Sequence, residues 1–122
     1  MLFRFKRGVE ASELGLVTAN LFYLFAMFTQ YSAIRGLPVT ITCIKQHVSG
    51  RKYRTHAEGR AIDLSVKGWS DRDIAEVTDL FNEQYKDIAA ISARDGVPRA
   101  VVVHKGTAKH FHLQVRPEGG LQ

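Results

Sequence analysis

Polar and apolar residues alternate strictly from His110 to Val115, and this pattern constrains the fold more than any other feature of the sequence. Successive side chains of a β-strand point to opposite faces of its sheet. One face would carry the polar residues His110, His112 and Gln114, and the other the apolar residues Phe111, Leu113 and Val115. The sequence therefore predicts a strand over 109–116 that buries its apolar face and holds two imidazoles side by side on the other.

A second segment, from His56 to Asp63, carries two further candidate metal ligands. Its last part lies in a strand predicted over 60–66, where the alternation points Asp63 away from the core. Gly59 permits a backbone turn that would fold His56 back toward Asp63. If the two segments meet, they supply the imidazoles and carboxylate that a catalytic zinc ion takes, with one coordination position left for water. The alternative is a set of incidental surface histidines on a two-faced sheet.

The rest of the chain predicts a single α+β domain over residues 1–122. Strands are predicted over 39–44, 60–66, 99–104 and 109–116, and helices over 9–35 and from Ser70 onward. We expect a small antiparallel sheet of about four strands, with helices packed mainly on one face and the zinc site on the other. The core that carries the zinc site would span about residues 37–116.

The charge balance and the long apolar segment limit the partners. The net charge is +5, from 17 basic and 12 acidic residues, which favours attraction to a polyanion. The basic residues are scattered and no nucleic-acid motif accompanies them, so we expect no nucleic-acid partner. Residues Leu14 to Ile34 carry no formal charge and are a weak transmembrane candidate. The spacing of their apolar residues by three and four favours a core helix instead.

Two further features bear on compartment and redox state. The single cysteine, Cys43, excludes an internal disulfide, and the apolar run 39–44 around it predicts a buried thiol. No signal peptide is evident, so we expect the protein to be made in the cytoplasm.

The segment Thr55 to Leu64, followed by His110-Phe111-His112, resembles the His-x-x-Gly-x-Ala-x-Asp and His-x-His signatures of the D-Ala-D-Ala carboxypeptidase-like zinc peptidases. That family shares its fold with the lysostaphin-type peptidases and the hedgehog signalling domain. The resemblance covers about two thirds of the chain. It implies zinc as the cofactor and a peptidoglycan peptide as the substrate, and the small size is similar to that of phage cell-wall enzymes such as endolysins.

Carried over by position, the resemblance makes His56, Asp63 and His112 the zinc ligands. His110 would then sit beside the metal, where it could orient water, move a proton or stabilise the tetrahedral intermediate.

The chain departs from the family pattern at two positions. Many carboxypeptidase members place a glutamate base three residues before the last ligand, where this chain has Lys109. The proton acceptor is therefore left open between His110, His104 at the end of its predicted strand, and Glu58.

The second departure concerns an arginine that follows the first strand in the family and binds a substrate carboxylate. Lys45 occupies that stretch here and would act as a point charge without the bidentate geometry of arginine. Arg51 and Arg54 are the other candidates for substrate binding. The alternative is that all three are solvated loop charges.

The function that we expect is cleavage of a peptide bond in peptidoglycan, at the bacterial cell wall, of endolysin or carboxypeptidase type. Two alternatives stay open. One is a non-catalytic zinc-binding module of the same fold, such as a virion component. The other is a basic protein without metal that binds a membrane or nucleic acid.

Overall fold

The computed structural model describes residues 2–44, 54–92, 94–105 and 108–118, and the fold is α+β. The strands are β1 (Arg4–Phe5), β2 (Thr40–Cys43), β3 (Ala61–Ser65), β4 (Ala90–Ile91), β5 (Pro98–Arg99), β6 (Val101–His104) and β7 (His110–Gln114). The helices are a 3-10 helix (Ala11–Leu16), α1 (Ala19–Ile34), α2 (Arg54–Ala57) and α3 (Asp71–Gln84).

The main sheet has five strands in the order β1-β2-β3-β7-β6, and β4 and β5 form a separate two-stranded sheet. The four predicted strands are present as β2, β3, β6 and β7 and pair antiparallel. The expectation of an entirely antiparallel sheet of about four strands is wrong, because β1 adds a fifth strand parallel to β2. Arg4 donates to the carbonyl of Val39 over 2.9 Å, and a two-residue strand is too short to show an alternation in sequence.

The single helix predicted over 9–35 is also wrong, because the structure divides this range at Thr18. Thr18 is extended, and its side chain accepts a hydrogen bond from the backbone of Leu21, which makes it the N-cap of α1. Its own N–H donates to the carbonyl of Gly59 over 3.0 Å. A threonine that caps one helix and binds a distant loop cannot continue a helix through itself.

The core lies on one face of the sheet, under α1 and α3. Phe28 of α1 is fully buried, and its ring lies 5.7 Å from Trp69, 5.4 Å from Phe81 and 5.2 Å from Phe111 of β7. The apolar face predicted for the last strand is thus the face covered by helices. Among the helices of the described residues, none combines the length and the apolar character that crossing a membrane requires.

Candidate metal centre

The antiparallel pairing of β3 with β7 places the two histidine-bearing segments side by side. Asp63 of β3 lies directly opposite His112 of β7. The N–H of Val115 donates to the carbonyl of Arg60 over 3.0 Å, so the hydrogen-bonded pairs of these strands fall on either side of the Asp63–His112 pair. Side chains approach most closely in a non-hydrogen-bonded pair, and these two are therefore held against each other by the sheet itself.

Three imidazoles surround the carboxylate of Asp63. Its Oδ1 lies 2.8 Å from Nδ1 of His112 and 3.2 Å from Nε2 of His56. Its Oδ2 lies 3.7 Å from Nε2 of His110. Asp63 and His112 are each 8% exposed and His56 is 5% exposed, so the cluster is shielded from solvent. The histidines of the two motif segments, His56, His110 and His112, therefore all lie around the carboxylate of Asp63.

His56 reaches Asp63 through a tight turn after α2. Arg60 donates its N–H to the carbonyl of Thr55 over 2.7 Å, and Gly59 donates to the carbonyl of His56 over 3.1 Å. Gly59 adopts a φ of 71°, a left-handed conformation that glycine takes without strain. The turn that the sequence assigned to Gly59 is the one that directs His56 back over the sheet.

A backbone carbonyl orients the ring of His56. Its Nδ1 lies 2.9 Å from the carbonyl oxygen of Ile44, so this nitrogen carries the proton and donates it. Nε2 is then the nitrogen that faces Asp63. Metal-binding histidines commonly donate their other ring N–H to such a carbonyl, which fixes the tautomer and the ring orientation.

Replacing Gly59 with alanine is expected to reduce the free energy of unfolding by roughly 3 kcal/mol. A Cβ at this position would lie 2.3 Å from the backbone oxygen of Leu16, on top of the cost of the positive φ. Gly96→Ala is the matched control, because Gly96 has a φ of +70° and nothing within 4 Å of such a Cβ. It should cost only about 1–2 kcal/mol. Urea unfolding measures both, and equal losses in the two variants would contradict the steric explanation.

Cys43 lies on the same face as Asp63, which the sequence did not predict. Ile41 pairs with Leu64 and Cys43 pairs with Asp63, so β2 has one residue more than β3 between these pairs. Without this β-bulge, Cys43 would share the core face of the sheet with Ile41. The bulge turns it to the opposite face, which carries Asp63. The thiol is half-buried rather than buried as predicted.

The sulfur of Cys43 lies 4.0 Å from Nδ1 of His56. Ligand atoms of Cys43, His56 and Asp63 all lie within 4.8 Å of one another, so these three residues could hold a metal ion. The signal in the sequence is the presence of two aliphatic residues three positions apart, Ile41 and Ile44. Both are buried, and a regular strand cannot turn both to one face.

Burial and hydrogen bonding act in opposite directions on the charges of the cluster. Burial disfavours the imidazolium of His56, but its hydrogen bond to Asp63 and its contacts with Cys43 and the carbonyl of Ile44 outweigh this and raise its pKa to about 10. Burial likewise disfavours the carboxylate of Asp63, yet the hydrogen bonds from His112 and His56 hold its pKa well below the usual range. The metal-free site is therefore an ion pair in which a proton on His56 balances the buried carboxylate.

This ion pair predicts how the stability of the metal-free protein depends on pH. The contribution of His56 is complete below its ordinary pKa of 6.5 and is lost as the pH rises through about 10. The contribution of Asp63 is present above its ordinary pKa of 3.8 and is lost as the pH falls below that value. Urea unfolding with a chelator present should give the greatest stability between those two ordinary values. His56→Gln should remove the alkaline decline, and an unchanged decline in that variant would contradict the assignment.

The two histidines predicted to move protons lie beside the cluster. His110 is half-buried, and its Nδ1 lies 2.8 Å from the carbonyl oxygen of Ala108. The ring of His104 lies 5.2 Å from that of His110 and 5.0 Å from that of His112. Burial, together with repulsion from His112 and His110, lowers the pKa of His104, which keeps its ring neutral and able to accept a proton.

The remaining candidate for the base, Glu58, is paired with a cation, and Lys109, which occupies the position of the family's glutamate, is itself cationic. Glu58 accepts a hydrogen bond from Arg60 over 2.8 Å. Lys109 forms an ion pair with Asp71 over 3.2 Å. Neither contact is with the Asp63 cluster, so His110 and His104 are the better placed candidates.

Lys45 and Arg51, predicted to bind substrate, lie outside the described residues, and so does the side chain of Arg54. Their roles stay predictions. A cleft of about 780 Å³ opens beside His104 and His112, and its lining includes Arg94 and Arg99. The sequence did not indicate these two arginines, because Arg99 belongs to a strand of two residues, which carries no alternation signal, and Arg94 lies in the turn before that strand.

No family model matches this chain, no curated protein is similar to it, and no solved structure matches its fold. What the protein does must therefore be inferred from its own residues.

Proposed function

We propose that this protein is a zinc-dependent peptidase that cleaves a peptide bond in bacterial peptidoglycan. The observation that carries the proposal is the convergence of His56 and His112 on one carboxylate oxygen of Asp63, at 3.2 and 2.8 Å. Two imidazoles and one carboxylate are a three-residue donor set typical of zinc hydrolases, which keep the fourth position open. The motif resemblance to the D-Ala-D-Ala carboxypeptidase-like peptidases supports the same ligands.

The spacing of one donor pair, His56 and Asp63, fits zinc. Ligand atoms bonded at about 2.0–2.1 Å in a tetrahedron are roughly 3.3 Å apart. Nε2 of His56 and Oδ1 of Asp63 are 3.2 Å apart. A divalent cation would also take over the charge balance that the proton on His56 provides in the metal-free site. When bound, zinc supplies Lewis acidity, which polarises a carbonyl and makes water acidic enough to attack near neutral pH.

We assign proton transfer to His110 and His104. Because Nδ1 of His110 donates to the carbonyl of Ala108, its Nε2 is free to accept a proton on the side of Asp63. That nitrogen can take the proton from the attacking water and return it to the leaving amine. His104, with its lowered pKa, lies behind His110 and can exchange a proton with it or act in its place.

A peptide from the cell wall suits the charge around the site. Arg94, Asp95 and Arg99 line the cleft beside His112, with Arg99 paired to Asp95 over 2.6 Å, and the chain as a whole carries a net charge of +5. Peptidoglycan stem peptides carry free carboxylates, which such a cleft would attract. The site of action that we propose is therefore the cell wall.

The direct test is digestion of purified peptidoglycan with the zinc-loaded protein. New peptide termini should appear in mass spectrometry, disappear when a chelator is added and return when zinc is restored. Their identity would define the bond that is cut and would separate endopeptidase from carboxypeptidase. The absence of new termini with a fully zinc-loaded protein would overturn the proposal.

A non-catalytic zinc module is the second candidate, and the position of Cys43 favours it. A thiolate from Cys43 would be a fourth protein ligand beside His56, Asp63 and His112, and it already lies in range of an ion shared with His56 and Asp63. A fourth protein ligand closes the coordination sphere, which is typical of structural zinc sites.

Cobalt substitution separates these two candidates. For the peptidase we expect no thiolate-to-cobalt absorption in the near ultraviolet, and Cys43→Ser should keep its zinc with affinity within about tenfold. An absorption band that is present in the natural protein and lost in Cys43→Ser would instead identify a thiolate ligand and favour the non-catalytic module.

A further inference from the structure

β6 is an edge strand of the main sheet, and its register with β7 decides which of its backbone groups are free. The N–H of Gln114 donates to the carbonyl of Ala100 over 2.9 Å. In an antiparallel pair such bonds recur at every second residue. The N–H and C=O groups of Val101 and Val103 therefore point away from the sheet.

A side chain of α3 already occupies one of these two positions. The N–H of Val101 donates to Oδ1 of Asn82 over 2.8 Å, and Nδ2 of Asn82 donates back to the carbonyl of Val101 over 2.9 Å. The carboxamide thus bonds to Val101 as a neighbouring strand would. Val103 has no corresponding partner among residues 2–44, 54–92, 94–105 and 108–118.

Thr78 lies beside this open position. Lys109 directly precedes β7 in sequence and lies in space beside the end of β6, because His110 pairs with His104. It forms an ion pair with Asp71 at the start of α3, so α3 runs antiparallel to β6. Thr78 lies four residues before Asn82 in α3, a rise of about 6 Å, and Val103 lies two residues after Val101 in β6, a rise of about 6.8 Å. Because Asn82 bonds to Val101, Thr78 is level with Val103. Oγ1 of Thr78 is buried and is the one such side-chain atom in the described part of the chain without a hydrogen-bond partner.

We propose that the open edge at Val103 positions the peptide substrate of this site. One residue of an extended peptide would accept from the N–H and donate to the C=O of Val103, and the hydroxyl of Thr78, once its side chain rotates into the cleft, would bond to an adjoining peptide group. This inference rests on the proposed peptidase function.

Three observations favour a peptide as the occupant. Val103, Thr78 and His112 line one cleft, so a chain bonded at the edge can continue within that cleft across β6 toward His112. The side-chain amide of Asn82 makes the same two hydrogen bonds with Val101, two residues earlier on β6, so an amide fits the donor and acceptor of this edge. Peptides bind exposed sheet edges in this way, by main-chain hydrogen bonds.

Thr78→Val tests the role of the hydroxyl and Thr78→Ser is its matched control. With a zinc-loaded protein and a peptidoglycan stem pentapeptide ending in D-Ala-D-Ala, the valine variant should raise KM about three- to tenfold with little change in kcat. The serine variant should restore KM. A purely structural role predicts a different result, because removing an unpaired buried hydroxyl should leave KM unchanged.

Binding to the metal-free protein separates this inference from the proposed function, since it needs no turnover. In amide NMR spectra, the stem pentapeptide should shift the signal of Val103, and an analogue N-methylated at its internal amides should bind at least about threefold more weakly. Binding that leaves Val103 and Thr78 unaffected would overturn the edge inference alone. Binding at Val103 by a protein that shows no turnover once it is loaded with zinc would overturn only the peptidase, and no binding at all would overturn only the edge inference.

Discussion

Replacing Asp63 with asparagine is expected to strip the protein of zinc. The side chain keeps its size but loses the negative charge that His56 and His112 share at 3.2 and 2.8 Å. Loss of a group that only bonds to a ligand weakens metal binding by about 10- to 100-fold. Loss of a ligand should exceed this, so we expect zinc affinity to fall by more than about 100-fold, with peptidoglycan cleavage falling to background. Metal analysis after native purification and a competition titration with a chromophoric chelator measure the two quantities.

Asp71→Asn is the control for this variant. Asp71 pairs with Lys109 at the surface and has no contact with the cluster, so its zinc content should stay at the natural level. Circular dichroism should show that both variants are folded before the metal is measured. A folded Asp63→Asn variant that binds zinc as tightly as the natural protein would remove the carboxylate from the ligand set.

The contact between Asp63 and His112 was predictable from the sequence, because polar and apolar residues alternate in both β3 and β7 and the alternation fixes which side chains share a face. Slipping either strand by one residue would exchange its core face for its polar face, which fixes the register wherever one face is buried. Leu64 and Phe111 are both essentially inaccessible, and they force their neighbours to the opposite side. The turn at Gly59 was predictable for a similar reason, because a single backbone conformation accounts for it.

Features that depend on tertiary contacts were not predictable in this way. The bulge in β2 reverses the face of Cys43, and although the spacing of Ile41 and Ile44 indicates an irregular strand, the position of the bulge depends on the pairing with β3. The open edge at Val103 was also not predictable, because it depends on the position of Asn82 of α3 relative to β6. The start of α1 at Thr18 likewise depends on a carbonyl more than forty residues away in sequence.

Replacing His110 with alanine is expected to leave zinc in place and to lower kcat on peptidoglycan peptides by about 10²- to 10⁴-fold, the usual contribution of a positioned acid or base. Nε2 of His110 lies 3.7 Å from Oδ2 of Asp63, farther than either proposed ligand lies from Oδ1. We propose, from the motif resemblance, that His110 sits beside the metal rather than on it. Zinc content, kcat and KM are the measurements, and the lower limb of the pH–kcat profile should change shape as the base is lost.

His104→Gln distinguishes the two histidines. If His110 accepts the proton directly, the loss of kcat in His104→Gln should be at least about tenfold smaller than in His110→Ala, because His104 acts only through the neighbouring ring 5.2 Å away. The opposite order would make His104 the base, which its lowered pKa and its place on the cleft allow. Loss of zinc from His110→Ala would carry a different meaning. It would make His110 a ligand and would give the site two imidazoles from one strand, so that His56 rather than His110 would be the residue beside the metal.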